Sequence, residues 1–308
     1  MLRGAMRKTP LKALTGRVWG RVAALCVGLV CAMSSLAAVD VCDRPVDSSH
    51  VSLGVSASDE AGLDDNLGTV EQENYTLDSL YRLGNAWSLG VGYRYKILRF
   101  DSIEPQTNGH LHTLFFPAHR QSQSEGKHFR FSIAPSLSAS SNVMKDPGQY
   151  DFDAVQLLAA VVWGRQLSNQ MDLQYGICGD HRFGGYKIYP MVSLDWQPHV
   201  DWTIDLGFPT AALRYQPNER FDSALQLTPS GNEWYVKDAS LQYQSQFIYE
   251  SYLLELSLNW QLLRRLTLTA SVARQVRNRY EMTLLDGSRV RIRGDDSTVI
   301  GAAAAWEF

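Results

Sequence analysis

Few residues in this chain have the types and spacing that catalysis needs. His181 stands between Asp180 and Arg182 in the glycine-rich run from Gly179 to Gly185, an imidazole flanked by a carboxylate and a guanidinium. That is how a general base beside an orienting acid reads in sequence. A catalytic set is defined by geometry, however, and none of the seven histidines sits in a nucleophile motif. His110 and His112 share one face of an extended chain and supply two imidazoles, a weak set for a metal. Asp172, Asp195, Asp205 and Glu255 could act as paired acid and base only if strand pairing brought them together. On this reading the chain is not an enzyme, and neither a cofactor nor a metal is expected.

The same charged residues fit a different chemistry. Arg94, Lys96, Arg130, Asp172, Lys187, Asp195, Asp205, Arg214, Glu255 and Asn259 all fall on the polar face of segments that alternate with period two. The clearest segment runs Trp87, Leu89, Val91, Tyr93, Tyr95, Ile97 on one face and Ser88, Gly90, Gly92, Arg94, Lys96 on the other. If the apolar faces meet lipid, these side chains line the lumen of a barrel. Charges of both signs there either select small hydrophilic solutes or fill a narrow lumen as a salt-bridged network.

The elements that must position them are strands throughout. After residue 38 no run is long enough for a transmembrane helix, and no helical periodicity is sustained. Fourteen candidate strands can be counted, twelve if the weak segments 51–57 and 210–216 are dropped. Short turns alternate with longer polar loops, including 58–71, 140–151 and a hairpin over 277–294 with Asp286-Gly287 at its tip. Both termini fall on the short-turn side, as in an even-stranded outer-membrane barrel. Trp87, Trp163, Trp196, Trp202, Trp260 and Trp306 gather near strand ends, where an aromatic girdle belongs. A soluble sandwich also alternates, but these features together favour the membrane.

The two ends of the chain agree. Six basic residues precede the apolar run 22–33, and Ser34 to Ala38 follow with small side chains, the pattern of a secretory signal peptide over 1–38. Its removal leaves 23 basic and 32 acidic residues, a formal net charge of −9 over one domain, 39–308. An acidic exported chain has no electrostatic case for nucleic acid. Cys42 and Cys178 remain, either as one disulfide or as two thiols. At the other end, Ile300, Ala302, Ala304, Trp306 and Phe308 form one apolar face. That face resembles the terminal-strand signal of outer-membrane barrels, which implies the barrel-insertion machinery and outer-membrane lipid as partners.

The pieces Gly-Asp-His-Arg-Phe-Gly-Gly-Tyr-Lys-Ile-Tyr-Pro, Leu-Asp-Trp-Gln-Pro and Leu-Gly-Phe-Pro, within 179–209, resemble an uncharacterised family of bacterial outer-membrane β-barrel proteins, a domain of unknown function. The resemblance implies a barrel and no reaction. The expected function is porin-like passage of small hydrophilic solutes. The alternative classes are a lipid-acting outer-membrane enzyme and a structural or adhesive barrel whose loops bind ligands.

Overall fold

The computed structural model describes residues 41–42, 48–64, 67–101, 109–145, 154–238, 243–283 and 288–308. The expected signal peptide over 1–38 and the Asp286-Gly287 hairpin tip lie outside the described residues, as do residues 102–108 and, in the 140–151 loop, 146–151. Among the described residues no helix is long and apolar enough to cross a membrane.

Seventeen strand segments form one sheet. They are β1 (His50–Ser58), β2 (Ala61–Gly62), β3 (Thr69–Leu83), β4 (Trp87–Asp101), β5 (Gly109–Phe115), β6 (Ala118–Ser124), β7 (Lys127–Ser140), β8 (Val155–Ser168) and β9 (Met171–Asp180). Then come β10 (Lys187–His199), β11 (Trp202–Phe208), β12 (Ala211–Asn218), β13 (Phe221–Asp238), β14 (Tyr243–Leu263), β15 (Leu266–Thr283), β16 (Arg289–Gly294) and β17 (Ser297–Glu307). Three strands are interrupted. β1 and β2 both pair with β3, β5 and β6 both pair with β4 and β7, and β16 and β17 both pair with β15. Joining each pair leaves fourteen antiparallel barrel strands, the larger of the two expected counts.

The sheet closes on itself where β17 pairs with β1, from His50 opposite Glu307 to Ser58 opposite Val299. The Phe308 amide extends the seam by donating to the Ser49 carbonyl at 3.0 Å. Closure is what lets a sheet enter lipid, because along the paired length of the strands it leaves no edge of unpaired N–H and C=O groups.

One rim carries the turns at 84–86, 125–126, 169–170, 200–201, 219–220 and 264–265 together with both ends of the barrel chain. Several strands run further toward this rim than the sequence suggests. β8 continues through Gly164, Arg165 and Gln166 to Ser168. Polar side chains there no longer alternate against lipid, so period two fades while backbone pairing persists. The segments around 51–57 and 210–216 are both strands.

The outer surface is a belt of exposed apolar residues, among them Leu53, Leu89, Leu157, Ile177, Val192, Leu206, Leu227, Leu256 and Ile300. On a soluble protein a belt of this size would drive association. On a closed barrel it is the lipid face, and the chain is a transmembrane β-barrel of the bacterial outer membrane. Leu256→Arg, at mid-belt on β14, is expected to cost about 2–4 kcal/mol of folding stability into vesicles by denaturant titration. Glu255→Gln, next to it on the inner face, should cost far less; equal costs would contradict the assignment of faces.

Candidate functional site

The inner face has two unlike halves. Near the short-turn rim its side chains are mostly small or polar, around one buried apolar pair, Leu80 and Phe115. Gly90, Gly92, Ser132, Ser257, Gly301 and Ala303 face inward there, and the Phe115 ring lies where a side chain on Gly92 would stand. Arg94 stacks on that Phe115 ring at 4.7 Å.

Register brings three carboxylates side by side. Asp195 on β10 lies directly opposite Asp172 on β9 and directly opposite Asp205 on β11. Like charges in that position repel. The Gln174 amide donates to Asp172 at 3.3 Å and to Asp195 at 3.4 Å, and the Ser193 hydroxyl donates to Asp205 at 2.5 Å. His128 Nε2 lies 3.6 Å from Asp172. Glu255 and Asn259 continue the polar face on β14, where Glu255 opposes Gln226 and Asn259 donates to Asp222 at 3.3 Å. Arg214 on β12 is exposed.

Toward the long loops the interior is closed. β13 reaches across to the opposite wall, where Trp234 Nε1 and Asn232 Nδ2 donate to Thr113 Oγ1 of β5 at 3.1 and 2.9 Å. The Gln156 amide of β8 donates to the Glu233 carbonyl at 2.8 Å, and Tyr235 forms a parallel bridge with Ala139 of β7. Leu98, Phe100, Leu111, Trp234, Phe247, Tyr249 and Tyr280 pack into a buried cluster between the two walls. Lys96 points into this cluster, its ammonium 4.1 Å from the centre of the Tyr249 ring and 3.4 Å from Gln72 Oε1. It therefore lies in a packed aromatic plug, which alternation alone does not reveal. The Gln72 amide also donates to Tyr280 at 2.9 Å, and Asn278 donates to the Asp295 carbonyl at 2.7 Å.

A second buried group lies against β7 to β10. Cys42 is inside the barrel, bonded to Cys178 as a disulfide with a Cα separation of 5.8 Å. This decides between the two states the sequence left open. Arg130 donates to the Cys42 carbonyl at 3.1 Å. Asp180 accepts from Arg182 Nε and from the Tyr189 hydroxyl, each at 2.7 Å. The three potential ligand atoms of Cys42, Cys178 and Asp180 lie close together, but both sulfurs are consumed by the disulfide and do not fit a metal.

His181 is buried, with Nδ1 3.3 Å from Glu233 Oε2 and the Tyr186 ring edge-on against it. Imidazole and carboxylate make two parts of a triad, and the geometry beside His181 is that of an ion pair and a ring contact. His110 and His112 face outward and stack on Tyr95, and their Nδ1 atoms meet the hydroxyls of Tyr95 and Tyr93 at 2.5 and 2.7 Å. They form part of an aromatic ladder. Lys187 sits at the long-loop end of β10 and donates to the Phe183 carbonyl at 2.8 Å.

The six tryptophans face outward, each 36 to 46 % exposed. On the last strand Ile300, Trp306 and Phe308 are exposed, and Ala302 and Ala304 lie between them opposite Val55 and Leu53. The Phe308 ring stacks on Tyr81 at 6.4 Å.

A family described as Domain of unknown function (DUF6268) matches residues 76–284, about two thirds of the chain. The chain belongs to this family. The matched stretch of the DUF6268 domain covers the carboxylate row, Cys178 and the strands that cross the interior; Cys42 and the closing seam lie outside it. No curated protein sequence matches. Among solved structures, the COG4313 outer membrane channel from Pseudomonas putida F1 is 9% identical, with 88% of this chain and 100% of that chain covered and a TM-score of 0.45. The toluene transporter TodX of Pseudomonas putida is 13% identical over 85% and 89% of the two chains, with a TM-score of 0.38. The KdgM porin is 8% identical over 83% and 99%, with a TM-score of 0.37.

The disulfide spans 136 residues of sequence. By chain entropy its loss costs up to about 5 kcal/mol. Cys42→Ser is expected to lower the denaturant midpoint of the vesicle-inserted barrel without preventing insertion. Non-reducing peptide mapping that found both thiols free in the native protein would contradict the pairing.

Proposed function

We propose that this barrel passes small hydrophilic solutes across the outer membrane, with a preference for cations, and that its long-loop end is a gate. The observation that carries the reading is the row of Asp172, Asp195 and Asp205 on three adjacent strands of the inner face. A row of carboxylates between low-dielectric walls concentrates cations and repels anions. The small side chains across from it leave room for a solvated path, and the net charge has the same sign. The gate is the crossing of β13 onto β5 and β7, held by hydrogen bonds at Thr113 and Gln156, by one backbone bridge and by the packing of Trp234 in the aromatic cluster. These contacts lie at the long-loop end, apart from the seam that closes the barrel, and can open locally without unfolding it. The reading assigns no reaction to His181.

Conductance of the refolded mature protein in a planar bilayer across a KCl gradient tests this. Cation-selective openings are expected, with a reversal potential that moves toward zero when Asp172, Asp195 and Asp205 are replaced by Asn. Trp234→Ala should raise the open probability. Anion selectivity, or a folded barrel silent in both proteins, would sink the proposal. The last strand is proposed to be the segment that the insertion machinery reads. Deleting Phe308 should then lower the amount of heat-modifiable barrel in the outer membrane while leaving export intact, and unchanged amounts would contradict it.

A further inference from the structure

The barrel wall is not continuous. β11 begins to pair with β10 only at Val192 opposite Phe208, and β12 begins to pair with β13 only at Ala211 opposite Leu227. The β11–β12 hairpin turns back at Pro209 and Thr210. Above that turn, residues 187–191 of β10 and 228–238 of β13 have neither β11 nor β12 between them. Five residues along β10 amount to a gap of about 16 Å in the strand direction.

Proline marks the gap on every side. Pro190 stands in the stretch of β10 above the turn, Pro229 in the matching stretch of β13, and Pro209 in the turn between. A proline has no N–H to give a neighbouring strand and is confined to edges and bulges. Its placement in both banks fits strands that end as edges here by sequence, and not by chance of folding.

The 181–186 loop folds into the opening. A side chain on Gly231 of β13 would come within 2.7 Å of the Gly184 nitrogen and 2.8 Å of the Arg182 carbonyl, so loop and bank are in backbone contact. Phe183 of this loop occupies the gap. Its ring stacks on Phe208 at 5.8 Å, meets Tyr189 edge-on at 5.0 Å and lies 6.3 Å from Tyr252.

These rings do not belong to one side of the sheet. Phe208 is 49% exposed on the lipid face, while Tyr189 is 8% exposed on the inner face and packs near the disulfide with Ala134 and Ala160. Yet the Phe208 and Tyr189 rings lie 5.9 Å apart. Across an intact wall the backbone separates outward from inward side chains. Here an unbroken run of rings, Phe208, Phe183, Tyr189, leads from the lipid face to the buried group around Cys42. The outer mouth is continuous with the belt, because Leu206 and Ile188 beside it are among its exposed apolar residues.

We propose that the gap between β10 and β13 is a lateral portal that admits an acyl chain of a lipid of the surrounding bilayer, with Phe183 as its stopper. The occupant follows from position and lining. The mouth opens into the belt, where hydrocarbon chains are the available molecules, and the rings that line it offer an alkyl chain dispersion contact and few polar groups. Displacing Phe183 from between Phe208 and Tyr252 would let a chain slide along the same rings to Tyr189 and Met191. The inference is independent of cation passage, since it uses a different opening and a different part of the interior.

The test is photolabelling. The mature protein is reconstituted in phosphatidylcholine vesicles containing a phosphatidylcholine with a diazirine in its acyl chain, irradiated, and mapped by peptide mass spectrometry. Adducts are expected on inward residues Tyr189, Met191 or Ala160 as well as on outward Phe208 and Ile188. Phe183→Ala should increase the inward adducts several-fold. A Phe183→Cys/Tyr252→Cys protein oxidised to hold the loop in place should lose them and keep the outward ones. Labelling confined to outward residues in the wild type and in Phe183→Ala would overturn the portal. So would inward labelling that persists in the locked protein.

Discussion

A bilayer offers no hydrogen-bond partner to a backbone amide or carbonyl, so a sheet placed in it must find all its partners within itself. In this chain the requirement is met at one seam, where β17 lies along β1 over nine residue pairs and the Phe308 amide caps the last of them. Every other arrangement follows from that closure. Fourteen strands have to turn back and pair with their neighbours, and side chains have to alternate between lipid and interior. The termini have to meet at the rim of short turns. The polar face that would make a poor core in a soluble protein becomes the inner surface, and the apolar face becomes the outside.

That inversion explains how much the sequence discloses. Lipid outside and polar lining inside keep a strict period of two, so the strand from Trp87 to Lys96 and the closing strand from Ile300 to Phe308 can be read directly, as can the glycine and asparagine of the turn near 84–85. Period two tells which face a residue occupies and is silent about what lies opposite. Lys96 therefore reads as another polar lining residue, although it sits over Tyr249 in a packed cluster. Asp172, Asp195 and Asp205 read as three separate carboxylates, because their row exists only once register is fixed. The crossing of β13 to Thr113 joins residues more than a hundred positions apart and leaves no local trace. The interruption of the wall did leave a signal, the three prolines at 190, 209 and 229, whose missing donors suit strand edges.

The two halves of the interior solve different problems. Near the short turns, glycine, serine and alanine keep side chains small, and the carboxylate row is held in place by an amide and a hydroxyl. Near the long loops, aromatic rings fill the space between the walls, and their hydroxyls bond to Gln72, Ser251 and Asn278. A buried hydroxyl without a partner would cost as much as the packing gains. The Tyr249 and Tyr280 pair thus combines a dry contact with satisfied polar groups.

The disulfide places a constraint on assembly. Cys42 precedes the first strand and ends inside the barrel against Cys178 of β9, which faces inward. Once β1 and β17 have zipped, that face is shut away from the soluble catalysts that make and exchange such bonds. The covalent link must then be forged while the sheet is still open, or by two thiols already held together inside it. A chain oxidised early reaches the membrane as a closed ring of residues 42 to 178 with a free tail, and inserts half its strands with their ends already joined.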